Sequence, residues 1–306
     1  MFVAEDAVPA TPALLKVLDG AVDLHCHSGP SPFPRRLNHV DASYDGARIN
    51  MRAILVKSHH HNTVMDLLAM GEQLKDAPTQ MFGGVALNTE VGGMNPSIVA
   101  MSLGLGGRAV WAPTISAAQH FKAHNHDDGF PSAGLDLREH VVSIFDDNGD
   151  VSADTVEVVK LVADHKALLT SGHLDGASMR ALFETAKENG VERLMLPHPD
   201  FIVDDSDADI QFAVDHGAFI EHELAMYHPK VEAPQWPIER LVDWIRKVGP
   251  EHTVIDSDLG QKVNPLPVDG YITVIGALLE HGISATDIRT MICNNTAYLL
   301  GLEEKP

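Results

Sequence analysis

Eight short apolar runs, separated by stretches of helical periodicity, constrain this chain more than any other feature of its sequence. They are AVDLHCH from Ala21, RAILVKSH from Arg52, FGGVALN from Phe82, AVWAPT from Ala109, ALLTSGH from Ala167, RLMLPH from Arg193, AFIEHE from Ala218 and TVIDSD from Thr253. Between them, segments such as TVMDLLAMGEQLKD, SADTVEVVKLVADH, GASMRALFETAKENG and PIERLVDWIRKVG carry helical apolar patterns, and several stop at a glycine. Strands that alternate with helices pair in parallel, and eight of them close into a (β/α)8 TIM barrel. The 306 residues suit one α/β barrel domain over 1–306, preceded by an N-terminal arm over about 1–20. One interval is too long for a plain unit: roughly 58 residues separate the fourth run from the fifth. It holds HFKAHNHDDGFPSAGLDLREH and VVSIFDDNGDVS, where Asp-Asn-Gly predicts a turn. We expect a long insertion after strand four there, a lid or side wall over about 115–150.

Charge narrows the partners. Asp plus Glu number 43 against 22 Lys plus Arg, a formal charge of −21. Such a surface repels phosphate backbones and anionic membranes, so no nucleic-acid or membrane partner is expected. The first twenty residues show neither a basic segment nor a continuous apolar stretch, so no signal peptide is expected. Two cysteines, Cys26 and Cys293, make no disulfide framework and fit a reducing cytoplasm. An exposed barrel flank leaves room for a homo-oligomer.

The 18 histidines matter through their positions. His25 and His27 end the first run and, two apart on an extended chain, face one side. His173 ends the fifth run, His198 the sixth, and Asp258 the eighth. Barrel enzymes build their sites at the C-terminal ends of their strands, where these five residues would converge. Imidazoles with a carboxylate suit Zn first, with Mn, Fe, Ni or Co as further candidates. Alone, each motif has a bland explanation: a stray HxH pair, a loop His before Pro, a capped Ser-Gly-His. Their coincidence at matched strand ends is what points to a metal.

The pattern resembles the amidohydrolase superfamily, with HxH on strand one, His on strands five and six, and Asp on strand eight. The tail IRTMICNNTAYLLGL resembles its Asn-x-Ala-x-x-Leu-Gly-Leu segment, and FGGVALNTEVGGMNP, WAPTIS and SDLGQ resemble an amidohydrolase-like branch. The likeness runs from about Asp23 to Leu302. It implies metal ligation by His25, His27, His173 and His198, with Asp258 at the metal and passing a proton from water to the leaving group. Asp256, on the same side but deeper, ranks second for that role.

Strand four departs from the pattern. Binuclear members carry a carboxylated Lys or a Glu there, whereas this strand reads VWAPT. Lys57 and Glu90 are the candidate replacements. Lys57 is either a carboxylated bridge between two ions, an ammonium that meets substrate or Asp258, or a structural residue. His59, two beyond Lys57, is a candidate ligand or oxyanion stabiliser, while His60 and His61 are expected to be solvated or outside the ligand set. Glu221 and Glu223 end strand seven; one, with Glu223 preferred, would bind substrate or hold a ligand histidine. Arg35 and Arg36 in SGPSPFPRRLN would clamp a substrate carboxylate or form a surface charge pair. His120, His124 and His126, with Lys122, are expected in an exposed His-rich loop. GGMNP and GLGG lack the context of a phosphate-binding loop. The sequence thus points to a metal-dependent hydrolase cleaving a small-molecule amide, cyclic amide or lactone. A decarboxylase or lyase of the same superfamily, or a non-catalytic metal- or ligand-binding barrel, are the alternatives.

Overall fold

The computed structural model describes residues 7–123, 140–231 and 235–305. It is a mixed α/β structure in which every strand pairing is parallel. The strands are β1 (Val22–Cys26), β2 (Ala53–Val56), β3 (Gln80–Phe82), β4 (Gly84–Ala86), β5 (Ala109–Trp111), β6 (Leu168–Thr170), β7 (Arg193–Pro197), β8 (Ala218–Glu223) and β9 (Thr253–Asp256). Two sheets result, ordered β1-β2-β3 and β4 through β9. Helices join successive strands, as parallel pairing requires. Both faces of most strands are buried, which is why they read as continuous apolar runs.

The expected third strand is broken in two at Gly83, which lies between β3 and β4. The cause is Thr63, whose hydroxyl enters the sheet edge. It lies 3.0 Å from Val56 O and 3.1 Å from Gly84 O, and it accepts from Gly84 N at 3.0 Å. Those contacts replace ladder bonds. A Cβ at Gly83 would stand 2.8 Å from Val64 N, so no larger residue fits there.

Two shells of apolar residues flank the strands. Ile54, Ile255 and their neighbours pack outward under helices such as Ile238–Val248. Val22, Leu55, Trp111, Leu168, Met195, Phe219 and Val254 form a separate cluster with Tyr298, Leu299 and Leu300. The first and last strands also meet. Leu24 N donates to Asp256 Oδ1 at 2.7 Å, Asp258 N to His25 O at 2.8 Å, and His27 N to Leu259 O at 2.8 Å.

Helix starts follow capping chemistry. Ser152 caps Ala153–Asp164, Asp175 caps Gly176–Glu188, and Ser206 forms a capping box with Asp209. The segment TVMDLLAMGEQLKD makes two short helices, Thr63–Ala69 and Gly71–Leu74, instead of one. Residues 124–139 of the expected lid, with His124 and His126, lie outside the described residues. Before them stands the helix Ala118–Ala123. After them the Asp-Asn-Gly turn appears as expected, closed by a Phe145–Val151 bridge. Among the described residues no helix is long and apolar enough to cross a membrane.

Candidate metal centre

The site begins with an irregularity in β1. Asp23 pairs with Ile54 and Cys26 with Val56, so Leu24 and His25 together face the single residue Leu55. Such a bulge frees backbone donors. Two carboxylates receive them: Leu24 N donates to Asp256 Oδ1 at 2.7 Å and His25 N to Asp23 Oδ1 at 3.1 Å. Asp23 is held in turn by Ser257, through its N at 3.0 Å and its Oγ at 2.6 Å. Asp256 therefore anchors the strand that presents His25. Burial raises its carboxyl well above the usual range.

Five imidazoles meet above the bulge. Ring centroids lie 5.1 Å apart for His25–His27, 5.1 Å for His27–His59, 6.2 Å for His59–His173, 5.0 Å for His173–His198 and 6.5 Å for His25–His198. Each Nδ1 has an outer partner: Glu221 Oε1 at 3.0 Å for His25, Lys57 O at 3.1 Å for His27, Phe201 O at 3.0 Å for His198. Thr114 Oγ1 takes that place for His59 at 2.8 Å, and His120 Nδ1 for His173 at 2.9 Å. An Nδ1 that donates to a carbonyl or carboxylate leaves Nε2 as a bare lone pair, the form that ligates metals. Burial holds His25 down to about 3 and His198 to about 4, and keeps His27, His59 and His173 well below the usual range. All five rings are neutral at physiological pH.

Neutral rings create a conflict that a cation resolves. His27 Nε2 faces Asp258 Oδ1 at 2.9 Å, and His25 Nε2 faces the same oxygen at 3.5 Å. With Nδ1 of each ring carrying the proton, the His27 contact sets an acceptor against an acceptor, while His25 Nε2 also has Lys57 Nζ at 2.9 Å as a donor. Below them His25 Nδ1 lies 3.1 Å from Glu223 Oε1, and the buried Glu223 carboxyl also meets that of Asp258. Burial pushes the Glu223 carboxyl well up, and that of Glu221 to about 7. Nitrogen and oxygen donors converge here as a divalent ion requires, and the donor set fits one.

Backbone strain accompanies two of these residues. Asp258 has φ 45° and His198 φ 29°, the left-handed region that costs a non-glycine residue about 1–3 kcal/mol. Hydrogen bonds from Asp258 N to His25 O and from His198 N to Glu221 O, at 3.0 Å, hold both.

Of the residues singled out from sequence, His25, His27, Arg35, Lys57, His59, His173, His198 and Asp258 line one cavity of about 530 Å³. Lys57 is buried, its Nζ 2.9 Å from His25 Nε2, and burial lowers its pKa towards the amine form. Glu223, expected to bind substrate or hold a ligand histidine, is buried with Oε1 3.1 Å from His25 Nδ1 and its carboxyl against Asp258, and does not line the cavity. Arg36 does not line the cavity. Alternation along an extended segment turns it outward, where Nη1 donates to Asn264 O at 2.8 Å. Glu90 is exposed on the turn Thr89–Val91 and does not line the cavity. His61 Nε2 bonds Asp66 Oδ2 at 2.6 Å, and His60 is buried with its ring against Phe33. His120 corrects the expectation of an exposed loop: it is 5% exposed and bonded to His173. Nothing in its neighbourhood, AAQHFKAHNHDD, separates it from the other histidines there. Asp23 and Thr114 were also missed, since their partners lie far along the chain.

Three solved structures share this architecture. An amidohydrolase from Pseudomonas aeruginosa superposes with a TM-score of 0.61 at 13% identity, over 95% of this chain and 98% of its own. A triple mutant of organophosphorus hydrolase from Deinococcus radiodurans gives 0.56 at 11%, over 92% and 93%. The 2,6-dihydroxybenzoate decarboxylase from Rhizobium gives 0.55 at 9%, over 93% and 99%. At such identities the likeness is one of fold. Comparison with curated protein sequences returned no match. A family profile matches residues 20–221, most of the chain, and with them β1 through nearly all of β8: the protein belongs to the Family of unknown function DUF6282.

Proposed function

We propose that this protein is a metal-dependent hydrolase of the amidohydrolase superfamily, built on one closed (β/α)8 barrel that spans the chain. Contacts between the β1 and β9 ends support closure, with β3 and β4 together as the third strand. The observation that carries the reading is the pair of Nε2 lone pairs on His25 and His27 aimed at Asp258 Oδ1. His25, His27, His173, His198 and Asp258 would hold the ion, Zn being the first candidate. When bound, it supplies Lewis acidity, polarising a carbonyl and acidifying water.

The chain's own groups do the rest. Asp258 Oδ1, beside the two Nε2 atoms, accepts a proton from the attacking water and delivers it to the leaving group. With the Thr114 hydroxyl donating to its Nδ1, His59 would keep its proton on Nε2 and donate it to the developing oxyanion. Glu221, Lys57 O and Phe201 O orient the ligand imidazoles through Nδ1. Phe33, Phe201, Ile202 and Met226 wall the cavity and exclude water from a small amide, cyclic amide or lactone.

Lys57 separates two forms of this centre. As a carbamate Lys57 would help to hold two ions; as an amine it would leave a site for one. Elemental analysis of protein purified without chelator, with and without bicarbonate, reads the difference. Near two equivalents that fall without bicarbonate mark the bridge, and near one marks the amine. No metal after reconstitution would overturn the proposal. The buried Lys57 amine beside His25 also favours a second reading, decarboxylation. Oxygen-18 from solvent enters a hydrolysis product, whereas a decarboxylase releases carbon dioxide.

A further inference from the structure

We infer that the cavity is built for a carboxylic acid with an apolar body, its carboxylate paired with the guanidinium of Arg35. This rests on the cavity being the active site proposed above. Residues 34–36 run antiparallel to residues 260–262, through an Arg35–Gln261 bridge with Arg36 N to Gly260 O at 2.8 Å and Lys262 N to Pro34 O at 3.0 Å. Alternation along this rim points Arg35 inward and Arg36 away.

Among the described residues, no carboxylate lies within ion-pair distance of Arg35. Its Nε is buried without a hydrogen-bond partner. Its nearest polar neighbour is His27 Nδ1 at 3.4 Å, and that atom's proton belongs to Lys57 O. Elsewhere the buried and partly buried arginines have close acceptors: Arg48 has Asp45 and Asp269, Arg180 has Asp209, Arg240 has Asp200, and Arg193 has the carbonyls of Tyr298 and Lys166. Leaving a guanidinium largely desolvated and unpaired is costly unless a ligand completes it.

The surroundings define the acid. Lys262 adds a second cation at the rim, while Phe33, Phe201, Ile202, Met226 and Val231 present apolar surface. A planar carboxylate matches the guanidinium fork with two parallel hydrogen bonds. One fork in an apolar cavity suits a singly charged carboxylate better than a phosphate. Arg35 touches the edge of His27 opposite Nε2, so the carboxylate sits one imidazole width from the lone pairs that face Asp258. The bond to be broken is then only a few bonds from the acid, as in an N-acyl amino acid or a ring amide bearing a carboxylate.

The test compares phenylacetate with phenylacetamide, matched in shape and different in charge, by calorimetric titration of metal-loaded protein. Wild type should bind the acid about ten- to a hundredfold tighter. Arg35→Gln should erase that preference while leaving the amide's affinity unchanged, and Arg35→Lys should keep part of it. Equal binding of both probes by wild type would overturn the inference. So would a preference that survives Arg35→Gln, which would mean the acid binds the ion alone. If Arg35→Gln fails to fold, a full preference retained by Arg35→Lys, whose point charge cannot form the fork, would also overturn it. Metal analysis of the same samples keeps the two proposals apart: an Arg35-dependent preference without metal sinks the hydrolase, and metal without preference sinks only the acid.

Discussion

At their N-terminal ends the strands pack Val22, Ala53, Ala109, Leu168, Phe219 and Val254 against Tyr298, Leu299 and Leu300. At their C-terminal ends the same strands lead into His25, Lys57, His173, His198, Glu223 and Asp258. One end is a core. There, buried ionisable groups are few and paired, as where Arg193 donates to Lys166 O and Tyr298 O, and Asn295 Nδ2 donates to Pro250 O and Thr253 O, while Trp111 Nε1 and Thr296 Oγ1 are neutral groups without a partner. The other end buries the Glu221 carboxyl against that of Asp256 and the Glu223 carboxyl against that of Asp258, with no cation at ion-pair distance from Glu221, Glu223 or Asp256 other than a histidine ring among the described residues, and twists His198 and Asp258 into left-handed backbone. Burying such groups costs stability, which the closed end must supply. The difference teaches where to look for chemistry: several carboxyls buried on one another beside neutral imidazoles are costly to keep unless a ligand completes them.

Substitutions at the two ends should therefore fail in different ways. The largest effect is expected for His25→Ala. Elemental analysis should show stoichiometric metal lost, with turnover reduced by about 10⁴-fold or more, as loss of a catalytic metal implies; full occupancy would end the ligand assignment. Asp258→Asn comes next, with kcat down about 10²–10⁴-fold, the span of a positioned general base. Normal turnover in that variant would remove Asp258 from proton transfer.

Phe219→Ala tests the closed end. Phe219 is 3% exposed and its ring centroid lies 5.9 Å from that of Tyr298. Its truncation should cost about 3–5 kcal/mol in denaturant unfolding while metal content stays unchanged. Loss of metal without loss of stability would erase the contrast between the ends.

The smallest effect is expected in the loop after β7. Burial, with Asp209 next, raises the Asp205 carboxyl to about 7, and neither of its oxygens has a hydrogen-bond partner. Between the ordinary carboxylate range and about pH 7 the folded chain holds a proton that the unfolded chain releases, so stability falls as pH rises across that window. Asp205→Asn should gain about 1–2 kcal/mol at pH 8, allowing for partial exposure, and nothing at pH 4. Equal gains at both pH values would assign the effect to something other than the proton.

Much of this layout is legible along the chain. The ligand-type residues at the ends of β1, β6, β7 and β9 can be picked out because side-chain direction alternates locally. Gly-Gly in FGGVALN hints that the third strand is weak, though nothing local points to Thr63 as the group that enters it. The bulge in β1 leaves no signature, so Asp256 reads as a second catalytic candidate until its bond to Leu24 N, 232 positions away, is seen. Arg35 and Arg36 read alike because the pairing with residues 260–262 alone decides which one turns inward.

By itself, then, the sequence determined the alternation of strands and helices, the donor types at the strand ends and the absence of a suitable ligand on strand four. All of these depend on backbone periodicity and residue chemistry within a few positions. Only the tertiary structure decided that His120 backs His173, that Glu223 lies against His25 and Asp258, and that Arg35 has no carboxylate at ion-pair distance among the described residues. Those outcomes depend on the register of strands and loops far apart in the chain, and local periodicity carries no information about which distant residue will stand opposite.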